Sequence, residues 1–257
     1  MSNPRHMPVA PTGLRRLAAG AGIDAHHHDE HQIVYAARGV VSVTTGEGRW
    51  IAPGTLAIWV PAGTVHEHRA YGRTELRLVG LPVSANPLGL DGPAVLAVEP
   101  LLRELIIEYS GGAGCGPGAD VEADAVADDP ERARLRAVLL DRLRHSPRHP
   151  VRLPTPRDPR LAAVCALLNE DPADGRTLGE LGAEIGAGER TLSRLFGAEL
   201  GMSFPQWRTQ LRLHHALILL AGGVPVTVVA HRCGWSSASA FIDVFRAAFG
   251  RTPGRSR

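Results

Sequence analysis

Two stretches near the C-terminus decide how this chain folds: LGELGAEIGAGERTLSRLF at 178–196 and VTVVAHRCGWSSASAFIDVF at 226–245. They follow one plan. A short amphipathic segment comes first, and a glycine follows, Gly186 in one and Gly234 in the other. A polar cap and a second segment ending in Leu-Phe or Val-Phe complete each unit. Glycine at that spot suits a tight turn with positive φ, a conformation that costs any residue with a Cβ. Two short helices joined by such a turn make a helix-turn-helix unit. In the first unit Leu192, Leu195 and Phe196 fall on the core side of the second helix. Arg190 and Arg194, four residues apart, share the other side. The second unit exposes Ala238, Ser239, Ile242 and Asp243, with Arg246 near its end.

Phe204–Leu220, between the units, has the pattern of one continuous helix. At 1.5 Å per residue it is roughly 25 Å long. A helix of that length can hold two recognition helices about one DNA turn (~34 Å) apart, so that one chain reads successive major grooves. Upstream, Thr177 with Glu180 three residues on forms a capping box, and Asp158 can cap a helix running through Leu168. Ser146–Pro159 holds five prolines and reads as the linker between two domains, with 146–157 as its body. From Pro150 onward there are thirteen Arg against nine acidic residues, and the whole chain has no Lys. Arginine forks suit phosphates and guanine edges. The net charge of +2 is by itself a weak signal.

The N-terminal half has another period. Residues 14–82 carry short β-type runs, among them Gln32–Ala36, Val40–Thr44, Leu56–Val60 and Glu75–Leu81, separated by turn signals such as Gly46-Glu47-Gly48 and Pro53-Gly54. Many short strands at this spacing predict a small barrel or sandwich. Helical spacing then returns over Val95–Tyr109 and over Pro130–Arg144, where Pro130 suits a first-turn position. These two helices span a connector at 93–145, and its Gly- and Asp-rich stretch 111–129 reads as a flexible loop. Leu101, Leu102, Leu105 and Ile106 form an apolar stripe that either packs on the barrel or pairs two copies. The expected class is α+β: a small N-terminal β-barrel of cupin or jelly-roll type with two following helices, then an all-α domain over 158–257.

Histidines are concentrated in that barrel. His26-His27-His28-Asp29-Glu30-His31-Gln32 is followed by Pro61-x-Gly63-x-x-His66-Glu67-His68. On a strand His26 and His28 point to one face and His27 to the other. Imidazoles converging on one face can hold a divalent transition metal, or can line a pocket for an organic effector. His27, His31 and His68 read as exposed. Trp50, Trp59, Tyr35 and Ile33 read as core rather than pocket, as do Trp207, Trp235, Phe241, Phe245 and Phe249.

The DNA-binding half resembles the AraC/XylS family of regulators. The residues that carry the resemblance are RTLSRLFGAELG at 190–201, QLRLHHA at 210–216, VVAHRCGWSSASAF at 228–241 and FRAAFGRTP at 245–253. It implies sequence-specific binding to double-stranded promoter DNA, with Arg190, Thr191, Ser193 and Arg194 reading bases. In the second unit Ser236, Ser237, Ser239 and Arg246 would rely more on backbone contacts and shape. Asp243 stands where a basic residue is common, Gly188 where the cap is usually Ser, and Ser256 where an aromatic is frequent. The two histidine segments resemble the two cupin motifs, Gly20-x5-His26-x-His28-x3-Gln32-x6-Gly39 and Pro61-x-Gly63-x2-His66. That resemblance implies His26, His28, Gln32 and His66 as metal ligands, although Gln32 replaces the usual Glu and Ala70 stands where Asn is common.

The resemblance implies a regulator that responds to a small molecule or metal, acts as a homodimer, and contacts RNA polymerase if it is an activator. The alternative is a metal-dependent cupin enzyme carrying a DNA-binding tail. The missing carboxylate and the lack of any other acid–base set favour the regulator, so no catalytic residue is assigned. No apolar run reaches eighteen residues, and the N-terminus has no signal-peptide core, so a cytoplasmic protein without membrane spans is expected. Cys115, Cys165 and Cys233 are odd in number and widely spaced, which fits reduced thiols rather than a disulfide framework.

Overall fold

The computed structural model describes residues 4–111 and 129–253. The expected flexible loop lies outside the described residues except for its ends, and so do Cys115 and Ser256. The chain forms two compact units whose main boundary falls at Pro150/Val151, with Glu47–Arg49 grouped with the second.

The first unit contains β1 (Arg5–Met7), β2 (Gly13–Leu17), β3 (Gly22–His28), β4 (His31–Thr45), β5 (Gly48–Pro53), β6 (Leu56–Val60), β7 (His66–Leu81), β8 (Ala94–Ala97), α1 (Pro100–Gly111), α2 (Pro130–Arg144) and β9 (Arg148–His149). Its spine is the antiparallel pair β4 and β7, two long strands in register from His31↔Leu81 to Thr45↔His66. Register shifts at Ala36/Arg38 and Arg38/Val40 interrupt the ladder. Such irregularities bend and twist long strands, so both ends can serve different walls of one sheet-rich body. The sequence runs Gln32–Ala36 and Val40–Thr44 are therefore halves of one strand. The remaining order is β1-β3-β7-β4-β6-β8-β9, with β2 also on β7 and β5 on β4. The sheet thus begins before residue 14 and continues past residue 82.

One expectation needs correction. Helix was predicted from Val95, but Ala94–Ala97 is a strand, paired antiparallel to β6 with Val95 opposite Ile58. The backbone of this apolar run completes a sheet edge, and the helix waits for Pro100, a residue suited to a first turn. From there the apolar stripe behaves as the local-core alternative required. Leu102, Leu105 and Ile106, with Leu139 and Leu143 of α2, cover the face made by Ile33, Tyr35, Trp59, Val79 and Leu81. Each fully buried side chain of this kind stabilises the unit by about 1.5–3 kcal/mol. Leu101 is left out, at 51% exposure.

The second unit contains β10 (Arg152–Pro154) and six helices: α3 (Pro159–Glu170), α4 (Leu178–Ile185), α5 (Glu189–Leu200), α6 (Phe204–Ala221), α7 (Val226–Arg232) and α8 (Ala238–Phe249). The proline-rich stretch read as a plain linker thus carries two short strands, β9 and β10. Asp158 caps α3 by accepting from the Arg160 N–H, and the Thr177/Glu180 capping box opens α4. Gly186 ends α4 at φ 71°, and Gly234 turns the second unit at φ 77°. Leu192, Leu195 and Phe196 of α5 pack with α3, α4 and Trp207 of α6 in one core. Phe241, Phe245 and Phe249 bury one face of α8, with Trp235 4.7 Å from the Phe241 ring.

Candidate functional site

The sheet-rich unit holds a buried imidazole cluster. β3 and β7 lie antiparallel with His26 opposite His66, so residues two apart on each strand repeat on the same face. His26, His28, His66 and His68 all come inward and all are buried. The His26 and His66 rings are 4.3 Å apart, His28 and His66 5.0 Å, and His66 and His68 5.0 Å. Nitrogens of His26, His66 and His68 lie within 4.8 Å of one another.

Backbone hydrogen bonds set the tautomers. Nδ1–H of His26 donates to the Asp24 carbonyl at 2.7 Å, that of His28 to the Glu30 carbonyl at 2.8 Å, and that of His66 to the Thr64 carbonyl at 2.8 Å. Each acceptor is two residues away, so the strand itself fixes the ring. A neutral imidazole that donates through Nδ1 keeps its Nε2 lone pair free. Nε2 of His66 and both ring nitrogens of His68 are buried with no hydrogen-bond partner among the described residues, and Gln32 stands beside His28. Burial drives all four rings below the ordinary histidine value, His66 to about 3 and His68 well below it. Neighbouring imidazoles push His66 and His68 further down. The rings are therefore neutral near pH 7, the form that binds metal.

The set His26, His28, Gln32 and His66 is thus brought together as expected, with Gln32 beside His28. Two expectations fail. His68 was read as exposed but is buried inside the cluster. The alternation that pairs His26 with His28 pairs His66 with His68 equally, and this signal was in the sequence. His31 is also buried, on the opposite face: its ring stacks 4.7 Å from Trp59, and its Nδ1 accepts from the Ala62 N–H. His27 is half-buried and stacks on His6 at 4.8 Å. Ile33, Tyr35 and Trp59 are core under α1 and α2, as read.

These donors fit a divalent ion. At metal–nitrogen distances of about 2.0–2.1 Å, the ligand nitrogens of a tetrahedral site stand about 3.4 Å apart. The most widely spaced rings would close by about 1 Å or more to reach that geometry. The His–backbone bonds are the outer-shell contacts that orient metal-ligating imidazoles. No carboxylate is among the groups acting on the four rings.

In the helical unit, Arg190, Ser193 and Arg194 are exposed on α5 and Thr191 is half-buried. Neither arginine makes an ion pair among the described residues, so both guanidinium forks are free to meet an anion. Gly188, the N-cap of α5, supplies no side-chain bond, consistent with its departure from the usual Ser. In the second unit Ser236, Ser237 and Ser239 are exposed. Ser237 caps α8 by accepting from the Ala240 N–H at 3.1 Å, which leaves its own O–H to donate. Arg246 leans on Asp243 at 3.5 Å, so part of its charge is already answered.

Comparison with known proteins agrees with both halves. Residues 9–149 match the AraC-like ligand binding domain, and residues 181–257 match a helix-turn-helix domain. The chain is 31% identical to the HTH-type transcriptional regulator NimR of Escherichia coli over 230 residues, 90% of this chain and 80% of that protein. It is 37% identical to the HTH-type transcriptional regulator RipA of Corynebacterium glutamicum over 124 residues, 48% of this chain and 34% of that one. Among solved structures, a DNA-binding transcriptional dual regulator from Escherichia coli aligns at 31% identity and a TM-score of 0.35, over 38% of this chain and 94% of that one. With a ligand-binding domain matched over more than half its length and a near full-length relative among regulators, this chain belongs to the AraC family of DNA-binding transcription regulators.

Proposed function

We propose that the imidazole cluster is the effector site, and that a divalent transition metal or a small molecule bound there changes how tightly the helical unit holds promoter DNA. The observation that carries this reading is the set of buried, unpaired ring nitrogens on rings already oriented by their own strands. His26, His28, His66 and His68 would hold the ion, with Gln32 beside them. A metal there would supply Lewis acidity and charge. Because every donor is neutral, the ion would keep its double charge, which favours an anionic small molecule next to it. The neutral donor set also supports sensing over oxygenase chemistry, whose iron sites use two histidines and a carboxylate. An effector works here only if it binds two states of the chain with different affinity.

On DNA, α5 would enter the major groove with Arg190 and Arg194 toward guanine edges, supported by Thr191 and Ser193. Ser236, Ser237, Ser239 and Arg246 would hold phosphates at the second groove. The test is elemental analysis of untagged protein beside a His26→Ala/His66→Ala variant, with DNA affinity measured with and without added zinc, nickel or iron. Near one metal per chain, lost in the variant and coupled to DNA affinity, is expected. No metal uptake under any of these ions would leave the rings as lining for an organic effector.

A further inference from the structure

Arg212, midway along α6, lies where three parts of the DNA-binding unit meet. Its Nε donates to the Pro172 carbonyl at 3.0 Å, and one Nη reaches the Asp174 carbonyl at 3.4 Å. Both carbonyls belong to the loop that leads into the capping box of α4. The same guanidinium lies against the turn of the second unit. A Cβ on Gly234 would stand 2.6 Å from that Nη, 2.8 Å from Cζ and 2.9 Å from the Cα of Ala173. The missing side chain at 234 is therefore needed twice, for the positive φ and for room to seat the arginine.

The loop is itself held firmly. Arg208, one turn before Arg212, donates to the Arg176 carbonyl, while the Arg176 guanidinium binds Asp174 and reaches Glu184 on α4. The first unit is thus tied to α6 through its leading loop. The second unit follows α6 through the short turn Gly222-Gly223, where Gly223 has φ 79°, the Gly223 N–H donates to the Leu220 carbonyl at 3.0 Å and the Val224 N–H to the Leu219 carbonyl at 3.1 Å. That turn holds only the start of α7, and the flat fork wedged between Ala173 and Gly234 joins the leading loop of the first unit to the turn of the second. A lysine has no planar fork and cannot fill that slot.

We propose that Arg212 is a positioning residue that fixes the spacing between the recognition helices α5 and α8, so that the two units meet DNA as one body. The test places nitroxide labels on Ala198→Cys and Ala247→Cys, both exposed, in a full-length Cys115→Ser background. Distances are read by pulsed electron resonance for the parent and for Arg212→Lys, Arg212→Met and Gly234→Ala. A second readout uses a duplex selected for the parent from a random pool, and the same duplex with one base pair inserted at its midpoint. The parent should give a single narrow distance peak and lose roughly tenfold in affinity on the insertion, the scale of one mismatched contact. All three variants should lose the narrow peak and most of the insertion penalty while keeping the helical signal. Unchanged peak width and unchanged penalty in Arg212→Lys and Arg212→Met would overturn the proposal. So would melting of the helical unit by both, which would reduce Arg212 to a stabilising role.

Discussion

Adding one methyl group at Gly182 should damage DNA binding more than it damages folding. Gly182 lies near the end of α4, where the first helix-turn-helix unit turns toward α5. A Cβ there would sit 2.3 Å from the Ala187 carbonyl oxygen and 3.1 Å from Cδ1 of Leu192. Ordinary carbon–oxygen contact begins about 1 Å further out, so α4 and the turn must separate by roughly that much, since interiors leave no free space to absorb it. The same turn is closed by the Ala187 N–H donating to the Gly182 carbonyl at 2.8 Å. The methyl therefore presses on the turn that aims α5. Overpacking of this kind costs about 1–3 kcal/mol. For a domain of about 100 residues, ~2 kcal/mol lowers Tm by roughly 10 °C.

Gly186→Ala is the control four residues on. Its φ is 71°, but nothing lies within 4 Å of the added Cβ. Only backbone strain is incurred, about 1–2 kcal/mol, and the approach of α5 is unchanged. Both variants should melt earlier by circular dichroism. At a temperature well below both transitions, Gly186→Ala should bind a selected duplex like the parent, while Gly182→Ala should lose roughly tenfold, the scale of one misplaced base contact. The reasoning is refuted if Gly182→Ala melts with the parent, or if Gly186→Ala loses the more DNA affinity.

Arg190→Ala and Arg194→Ala should each cost about 1–3 kcal/mol at one base position where the fork is bidentate. If Arg246 holds a phosphate as proposed, Arg246→Ala should weaken all sequences alike and lower the salt slope by about 1, as read from titrations at several salt concentrations. Gln32→Glu should lower the melting temperature of metal-free protein, because it buries a carboxylate with no cation nearby, and should tighten metal binding in calorimetric titration; no change in either would remove Gln32 from the site. Asp158 is held down to about 2, chiefly by its side-chain bond to Arg160, against an ordinary 3.8. A depressed folded value stabilises above pH 3.8 and loses that effect as pH falls toward 2. The stability difference between parent and Asp158→Ala should accordingly shrink across that interval in thermal melts.

The helical unit was the more legible half because its signals are local. Thr177/Glu180, Asp158, Gly186 and Gly234 each act within a turn or two of their own position, and each does in the structure what its chemistry suggested. The sheet was less legible because strand faces are decided far away in sequence. The irregularities between Ala36 and Val40 hid the unity of β4, and the strand at Ala94–Ala97 exists only because β6 offers it an edge. His31 shows the same limit. Two residues separate it from His28, the turn at Asp29-Glu30, and the alternation that holds along β3 does not carry through. His31 therefore meets Trp59 while Gln32 joins the histidines.

The imidazole cluster also bears on how the sheet-rich unit is held together. Unpaired polar atoms in a dry interior each cost about 1–3 kcal/mol. Here Nε2 of His66 and both nitrogens of His68 are buried with no partner among the described residues. Three of the rings cannot turn to find partners, because their Nδ1 atoms are committed to Asp24, Glu30 and Thr64. The unit therefore carries a buried polar cluster where plain core residues would cost less, and α1 and α2 offset the loss by burying the opposite face of the sheet. A ligand that engages those nitrogens recovers part of the cost, and at 100 times its Kd it would add about 2.7 kcal/mol to the folded state. Occupancy of such a site and stability of the sheet-rich unit would in this way be one equilibrium. A sensor needs that link, since a ligand that left the stability of its own unit unchanged would have no free energy with which to shift anything else.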